Sequence, residues 1–302
     1  MVTKARLFLV GNGNKDGLLL RIFMYATLVG IGFVFLYPVI YMIAYSFKSI
    51  EDLLNHAVNW LPTAFYLGNY QVTLEVLNFF PLLLETIYIT VTPSLLQTAA
   101  AAFIGYGFAR FQFHGKRLLL GLVLSTFIIP PQVLVIPRYL LFNQLGILES
   151  ISAYLLPAVM GQGLNSAIFI LIFYQTYRTL PKSLEEAAQL DGAGRFKIFF
   201  TIAVPLAVPA IIISLLFSVV WYWNETYLAA IYFGNEMNTL PLQLRRFVTS
   251  FHTMFHMQPE TNLNEGIEMA GTFLTILPLL ILYFILQRWF VESVDKSGIT
   301  GE

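Results

Sequence analysis

The sequence predicts an all-α polytopic membrane protein with six transmembrane helices, and three observations lead there. Of 302 residues, 57% are hydrophobic and 11% charged, whereas a soluble domain has about a quarter of its residues charged. The apolar residues gather into six charge-free stretches near the ~20 residues a spanning helix needs. Lys and Arg concentrate in alternate loops between those stretches. The formal net charge of zero gives no reason to expect a nucleic-acid partner. With no cysteine, disulfides, zinc–thiolate sites and cysteine nucleophiles are excluded.

Residues 1–21 form a polar N-terminal segment carrying Lys4, Arg6, Lys15 and Arg21. Its stretch Gly11–Gly17 is glycine-rich, matches neither nucleotide fingerprint, and reads as a flexible terminus. The first span, Ile22–Phe47, outruns the 7–15 apolar residues of a signal peptide, so it is expected to be retained. A loop rich in aromatics, Pro and Gly (Trp60–Tyr70) then suits a membrane surface. The second span, Thr86–Ala109, carries Ala99–Ala102, Gly105 and Gly107, small residues that let helices approach closely in lipid. The third, Leu118–Pro137, contains Pro130, Pro131 and Pro137; broken backbone at membrane depth needs protein or water nearby, which points to a lumen near Gln132. The fourth, Ser150–Tyr177, has a polar, kink-prone patch at Gly161, Gln162, Gly163 and Asn165. The fifth is Ile198–Asn224, with the short run Thr226–Asn235 attached to its end, and the sixth is Met269–Gln287. The membrane domain is thus 22–291 and the polar C-terminal tail 292–302.

Thirteen of the 17 Lys and Arg residues fall on one side of this arrangement and four on the other. The positive-inside rule then makes both termini cytoplasmic and places the loop 181–205 inside the cell. Within that loop, Ser183 and Glu186 have the spacing of a capping box, and Gly192 stands where a helix should stop. A short helix from Leu184 to about Leu190 is expected, with Leu184, Ala187 and Ala188 sharing a small apolar face.

The chain lacks a phosphate-binding loop and a nucleophile elbow. Ionisable groups are nearly missing from the spans, and proton-coupled carriers place such groups in their pathways. The exception is Glu225, beside Trp221, Trp223, Asn224 and Tyr227. Aromatic faces together with amides suit a polar solute such as a sugar, so Gln132, Asn165, Trp223, Asn224 and Glu225 are candidates to line a substrate path. His252 and His256 have i, i+4 spacing, but no intervening glutamate or third ligand accompanies them, and no metal site is expected.

Glu186-Ala187-Ala188, three residues, Gly192, and then Ile202-Ala203-Val204-Pro205 resemble the EAA signature of inner-membrane permeases of ABC importers, with Val204 where that family has Leu. The extended form Glu185-Glu186-Ala187-Ala188-x-x-Asp191-Gly192 resembles the carbohydrate branch, and within it the smaller, six-helix permease of maltose-type transporters. Ser46-Phe47-Lys48, Leu61-Pro62, Leu67-Gly68-Asn69-Tyr70, Ile136-Pro137 with the Gly146 turn, Trp223-Asn224-Glu225, and the tail Gln287–Gly301 fit the same pattern. The resemblance implies half of a heterodimeric pore, completed by a second homologous permease subunit, two cytoplasmic ATPase subunits, an extracytoplasmic solute-binding protein and a carbohydrate substrate. It implies that Glu185, Glu186, Ala187, Ala188, Asp191, Gly192 and Pro205 belong to a cytoplasmic helix coupling the pore to the ATPase. The chain itself would be no enzyme and hold no cofactor, ATP and Mg being bound by the partner. The alternative is an ion- or proton-coupled secondary carrier, which would show intramembrane acid–base pairs and inverted repeats; neither is visible.

Overall fold

A computed structural model describes residues 11–12, 15–255 and 262–298. Gly11–Asn12 (β1) pairs antiparallel with Lys15–Asp16 (β2), in the glycine-rich lead that the sequence reads as a flexible terminus. Every other regular element among the described residues is helical. The first span is α1 (Leu18–Ser46), followed by the short α2 (Ile50–Leu54) and α3 (Gly68–Val76). The second is the continuous α4 (Phe79–Arg110). The third bends by 102° between α5 (Lys116–Ile128) and α6 (Pro131–Gln144). The fourth is broken into α7 (Ser152–Val159) and α8 (Ser166–Thr179), and the loop helix α9 (Lys182–Leu190) follows. The fifth bends by 76° between α10 (Arg195–Leu206) and α11 (Val208–Asn224). Then come α12 (Tyr227–Phe233), α13 (Leu240–Arg245), α14 (Phe247–Phe255), and the last span, α15 (Glu265–Gly298).

The chain divides into two compact units, 1–73 with 257–274, and 74–256 with 275–302. In the first, the loop after α1 is a built structure around a buried cation. Lys48 is 1% exposed; its Nζ donates to the carbonyls of Val58 (3.1 Å) and Asn59 (2.9 Å) and lies 3.6 Å from the Tyr45 ring centroid. Carbonyl and π contacts take the place of a carboxylate here, satisfying an ammonium whose isolated burial would be prohibitive. Asn69 closes the loop by donating to the Ser46 and Lys48 carbonyls (3.0 and 2.8 Å). The Ser46–Lys48 and Leu67–Tyr70 stretches, far apart in sequence, are therefore one interlocked feature.

In the second unit, α8 and α11 pack along α4. Ala101 and Ala102 of α4 meet Phe169, Phe173 and Tyr177 of α8 and Ala207 and Ala210 at the head of α11 in one buried cluster. The hydroxyls of Thr86, Thr90 and Ser94 bond back to carbonyls one turn earlier (2.6–2.8 Å), so this polar stripe is satisfied within α4 itself. The small residues divide into two kinds. A Cβ at Gly105 would lie 2.6 Å from Phe173 Cβ and 2.9 Å from the Tyr174 backbone nitrogen, whereas nothing lies within 4 Å of one at Gly107. Gly105→Ala should therefore lower thermal stability in detergent by about 1–3 kcal/mol through overpacking. Gly107→Ala should be neutral or stabilise by up to about 1 kcal/mol; equal melting points for the two variants would refute this packing.

Candidate functional site

The loop helix α9 starts earlier than the sequence suggests. Pro181, with φ −59° and ψ 127°, stands at the N-cap and no side chain caps the helix. Ser183 lies inside the first turn, so the expected Ser183–Glu186 capping box does not form. Proline's fixed φ presets the chain for helix entry. The C-terminal stop holds as expected. Gly192 has φ +78°, its N–H donates to the Gln189 carbonyl (3.0 Å), and the Ala193 N–H donates to the Ala188 carbonyl (2.9 Å). These two bonds are a Schellman ending. A Cβ at Gly192 would meet nothing within 4 Å, so glycine is needed for the left-handed turn and not for close packing within the chain.

Arg110, the last residue of α4, holds this loop. Its Nε lies 2.8 Å from Glu185 Oε1, with the two side chains 6% and 13% exposed, and its Nη2 donates to the Leu180 carbonyl at the end of α8 (2.8 Å). Nε and Oε1 meet off the N–H axis and neither has a hydrogen-bond partner, so each relies on this charge contact. On the far limb Arg195 lies 4.9 Å from the Phe111 ring centroid, and Phe199 packs against Phe103 and Tyr106. Glu185 is thus turned inward and held within the chain. Ala188 is half-buried beside it, while Leu184, Ala187 and Leu190 form an exposed stripe on the other side, Leu190 being 89% exposed. The apolar face differs from the expected one: Leu190 replaces Ala188. Glu186 and Asp191 are exposed. Pro205 is exposed too, in the turn before the bend, where Phe199–Ala203 is a π-helical stretch and the Ala207 N–H reaches both Ala203 and Val204 carbonyls (3.0 and 3.1 Å).

Breaks in the spans open a cleft of about 510 Å³, lined by α5, α6, the α7–α8 connection, α11 and α12. Asn165, Asn224 and Glu225 line it, as the sequence suggested. Gln132 and Trp223 do not. Gln132 follows Pro131 at the start of α6 and is exposed outside the cleft, and Trp223 is buried at 3% exposure. Trp221 takes the place of Trp223, because two residues turn a helix by about 200°, and its ring lies 5.1 Å from that of Phe169. Arg138 and Tyr232 also line the cleft and were missed; Arg138, read only as a topology charge, had a signal in being a lone cation directly after Pro137. Glu225 also caps α12, its Oε1 accepting the N–H groups of Tyr227 and Leu228 (3.0 and 2.9 Å).

Behind the cleft, Gln97 secures the chain break. It donates to the Leu164 carbonyl (2.8 Å) and accepts the Tyr222 hydroxyl (3.0 Å), while the Leu164 N–H reaches the same hydroxyl (3.4 Å). Gly161 and Asn165 take left-handed conformations at φ +70° and +53°, and any Cβ at Gly163 would collide with Gln97. His252 is exposed on α14; His256 lies outside the described residues, as do Lys4, Arg6 and tail residues 299–302.

The profile of the binding-protein-dependent transport system inner membrane component family matches residues 97–296. The osmoprotective compounds uptake permease protein GgtD of Synechocystis sp. is 31% identical, over 91% of this chain and 91% of its own length. The polygalacturonan/rhamnogalacturonan transport system permease protein YtcP of Bacillus subtilis is 29% identical, over 92% of this chain and 97% of its own. Among solved structures, a chain of a bacterial ABC transporter involved in the import of the acidic polysaccharide alginate superposes with a TM-score of 0.71. It is 24% identical and the match covers 89% of this chain and 97% of that one, a likeness of fold.

Removing one partner of a largely buried ion pair costs about 3 kcal/mol. Arg110→Ala is expected to destabilise by that order and to expose residues 181–194 to protease. A double-mutant cycle of Arg110→Ala with Glu185→Ala, read by thermal unfolding in detergent, should show coupling. Simple additivity would mean that the pair does not hold the loop.

Proposed function

The chain belongs to the binding-protein-dependent transport system inner membrane component family, and we propose that it is one half of the pore of an ATP-driven carbohydrate importer. It is a transport permease and a membrane protein. The sugar reading rests on relatives named for polygalacturonan/rhamnogalacturonan and arabinooligosaccharide transport. The observation that carries the mechanism is α9: a short helix with an exposed Leu184–Ala187–Leu190 stripe, tied through Arg110 to a membrane-spanning helix. In this reading α9 seats on a cytoplasmic ATPase subunit. The energy source is that partner, which holds ATP and Mg.

ATPase closure pushes α9, the Arg110–Glu185 contact passes the load to α4 and α8, and the bent and broken spans shift to open the pore to an extracytoplasmic binding protein. A second homologous permease and a second ATPase copy complete the assembly, with both termini cytoplasmic. Support for the membrane setting includes α1, whose most apolar stretch is wholly unburied. The saccharide path is the cleft, where Trp221 and Tyr232 offer ring faces and Asn165, Asn224, Glu225 and Arg138 offer hydrogen bonds.

Two measurements test these roles. An L-residue in the left-handed conformation costs about 1–2 kcal/mol, so Gly192→Asp should insert normally yet lose substrate-stimulated ATPase activity in the reconstituted complex. Full stimulation would remove α9 from the coupling path. Losing an aromatic face is worth about 0.5–1.5 kcal/mol, so Trp221→Ala should reduce sugar uptake roughly three- to tenfold, while Gln132→Ala leaves it unchanged. The reverse order would move the path elsewhere.

A further inference from the structure

We propose that a second, basic cleft at the ends of α4, α5 and α8 binds the phosphate headgroup of an anionic lipid. The cleft has a volume of about 800 Å³ and is lined by Arg110, Lys116, Arg117, Arg178 and Lys182, with no acidic residue in its lining. Glu185 neutralises Arg110. The other four have no carboxylate within ion-pair distance among the described residues. Lys116 Nζ donates to the Phe111 carbonyl (2.9 Å), and Arg178 leans on Tyr174, 5.5 Å from its ring centroid with a 3.4 Å bond to its hydroxyl. Four uncompensated cations around one concavity repel each other and create a field that an anion relieves.

The surroundings favour a lipid over a protein. The cationic side chains stand where three helices read as spans end, and the same cleft includes Ala109, Phe113, Leu118 and Leu120. A headgroup phosphate among the cations thus has apolar wall beside it for the start of its chains. From α9 only Lys182 reaches the cleft, and the exposed Leu184–Ala187–Leu190 stripe lies outside it. The face offered to the ATPase and the basic cleft are separate surfaces. The inference rests on the orientation proposed above, which puts the cleft at the inner leaflet, where anionic lipids attract juxtamembrane Lys and Arg.

The test counts phosphatidylglycerol and phosphatidylcholine retained by the full-length chain in detergent, using native mass spectrometry. The unaltered protein should retain phosphatidylglycerol preferentially. Each neutralised charge is worth about fivefold in lipid affinity, so Arg117→Gln should weaken retention by about that factor, and Arg117→Gln/Arg178→Gln/Lys182→Gln by roughly 100-fold. Arg245→Gln/Arg246→Gln, distant in the chain, should change nothing. Unchanged retention in the triple variant overturns the proposal. So does displacement of the lipid by millimolar inorganic phosphate, which would mark a free-anion site. Loss of a co-purified ATPase subunit with lipid retention intact would make the cleft a protein surface and overturn it equally. Lipid counting needs neither sidedness nor ATP turnover, so its failure with coupled ATPase intact sinks the lipid site and leaves the importer reading standing.

Discussion

At Arg110 a guanidinium at the end of a 32-residue helix ties two other pieces of chain to that helix. It supplies a donor to the Leu180 carbonyl, which the end of α8 leaves without a helical partner, and it pairs with Glu185 in the first turn of α9. It also ends the helix whose small residues hold the second unit together. Because the charged atoms are nearly excluded from water, their attraction is only weakly screened, and removing either member strands the other. The position of α9 relative to the spans depends on this contact, with Arg195 over Phe111 steadying the other limb. The helix itself has no buried residue and no side-chain cap at its start.

The cleft is built on a different constraint. Helices at membrane depth can break only where the released backbone groups find partners inside the protein. At the α7–α8 break those partners are side chains of other helices, Gln97 from α4 and Tyr222 from α11. Gly163 is what allows Gln97 to come so near, and the left-handed Gly161 and Asn165 turn the chain through the gap. Proline makes the other two breaks, at Pro130–Pro131 and around Pro205 and Pro209. Breaks from two expected spans, the third and the fourth, face one space, and the fifth lines it with Trp221 and Asn224 from the far end of α11. A permease that changes shape benefits from spans already divided into segments, since rotation at a break disturbs few helical hydrogen bonds.

Much of this was legible in residue order. The apolar runs located helices in all six places; among the described residues three are long and apolar enough to cross a membrane unbroken, or five if each bent pair is one span. Gly192 announced the left-handed stop, because few other residues tolerate φ > 0. Gly105 announced close packing, and Asn165, Asn224 and Glu225 announced the cleft. The failures share a cause. Ser183 matched a capping box by spacing, yet Pro181 set the helix start two residues earlier. Glu185 stood in the EAA stretch beside Glu186, and nothing local showed that Arg110, 75 positions away, pairs with it. Trp223 and Trp221 sit two apart in sequence and on opposite faces in space. Gln132 lies beside the proline that lines the cleft and is itself outside the lining.

By itself, then, the sequence determined composition-level and local matters: residence in lipid, the number and order of apolar segments, the places where backbone must bend, and the presence of a short polar helix between two of them. These follow from hydrophobicity, from proline's missing N–H and from glycine's missing Cβ, which act at the residue that carries them. Tertiary structure alone decided which charges neutralise each other, which aromatic faces the cleft, and which four cations are left around a common hollow. Those outcomes depend on helix rotation and on contacts between residues tens of positions apart. A turn of about 100° per residue sends neighbouring side chains in different directions, and only packing against α4 selects the one that points inward.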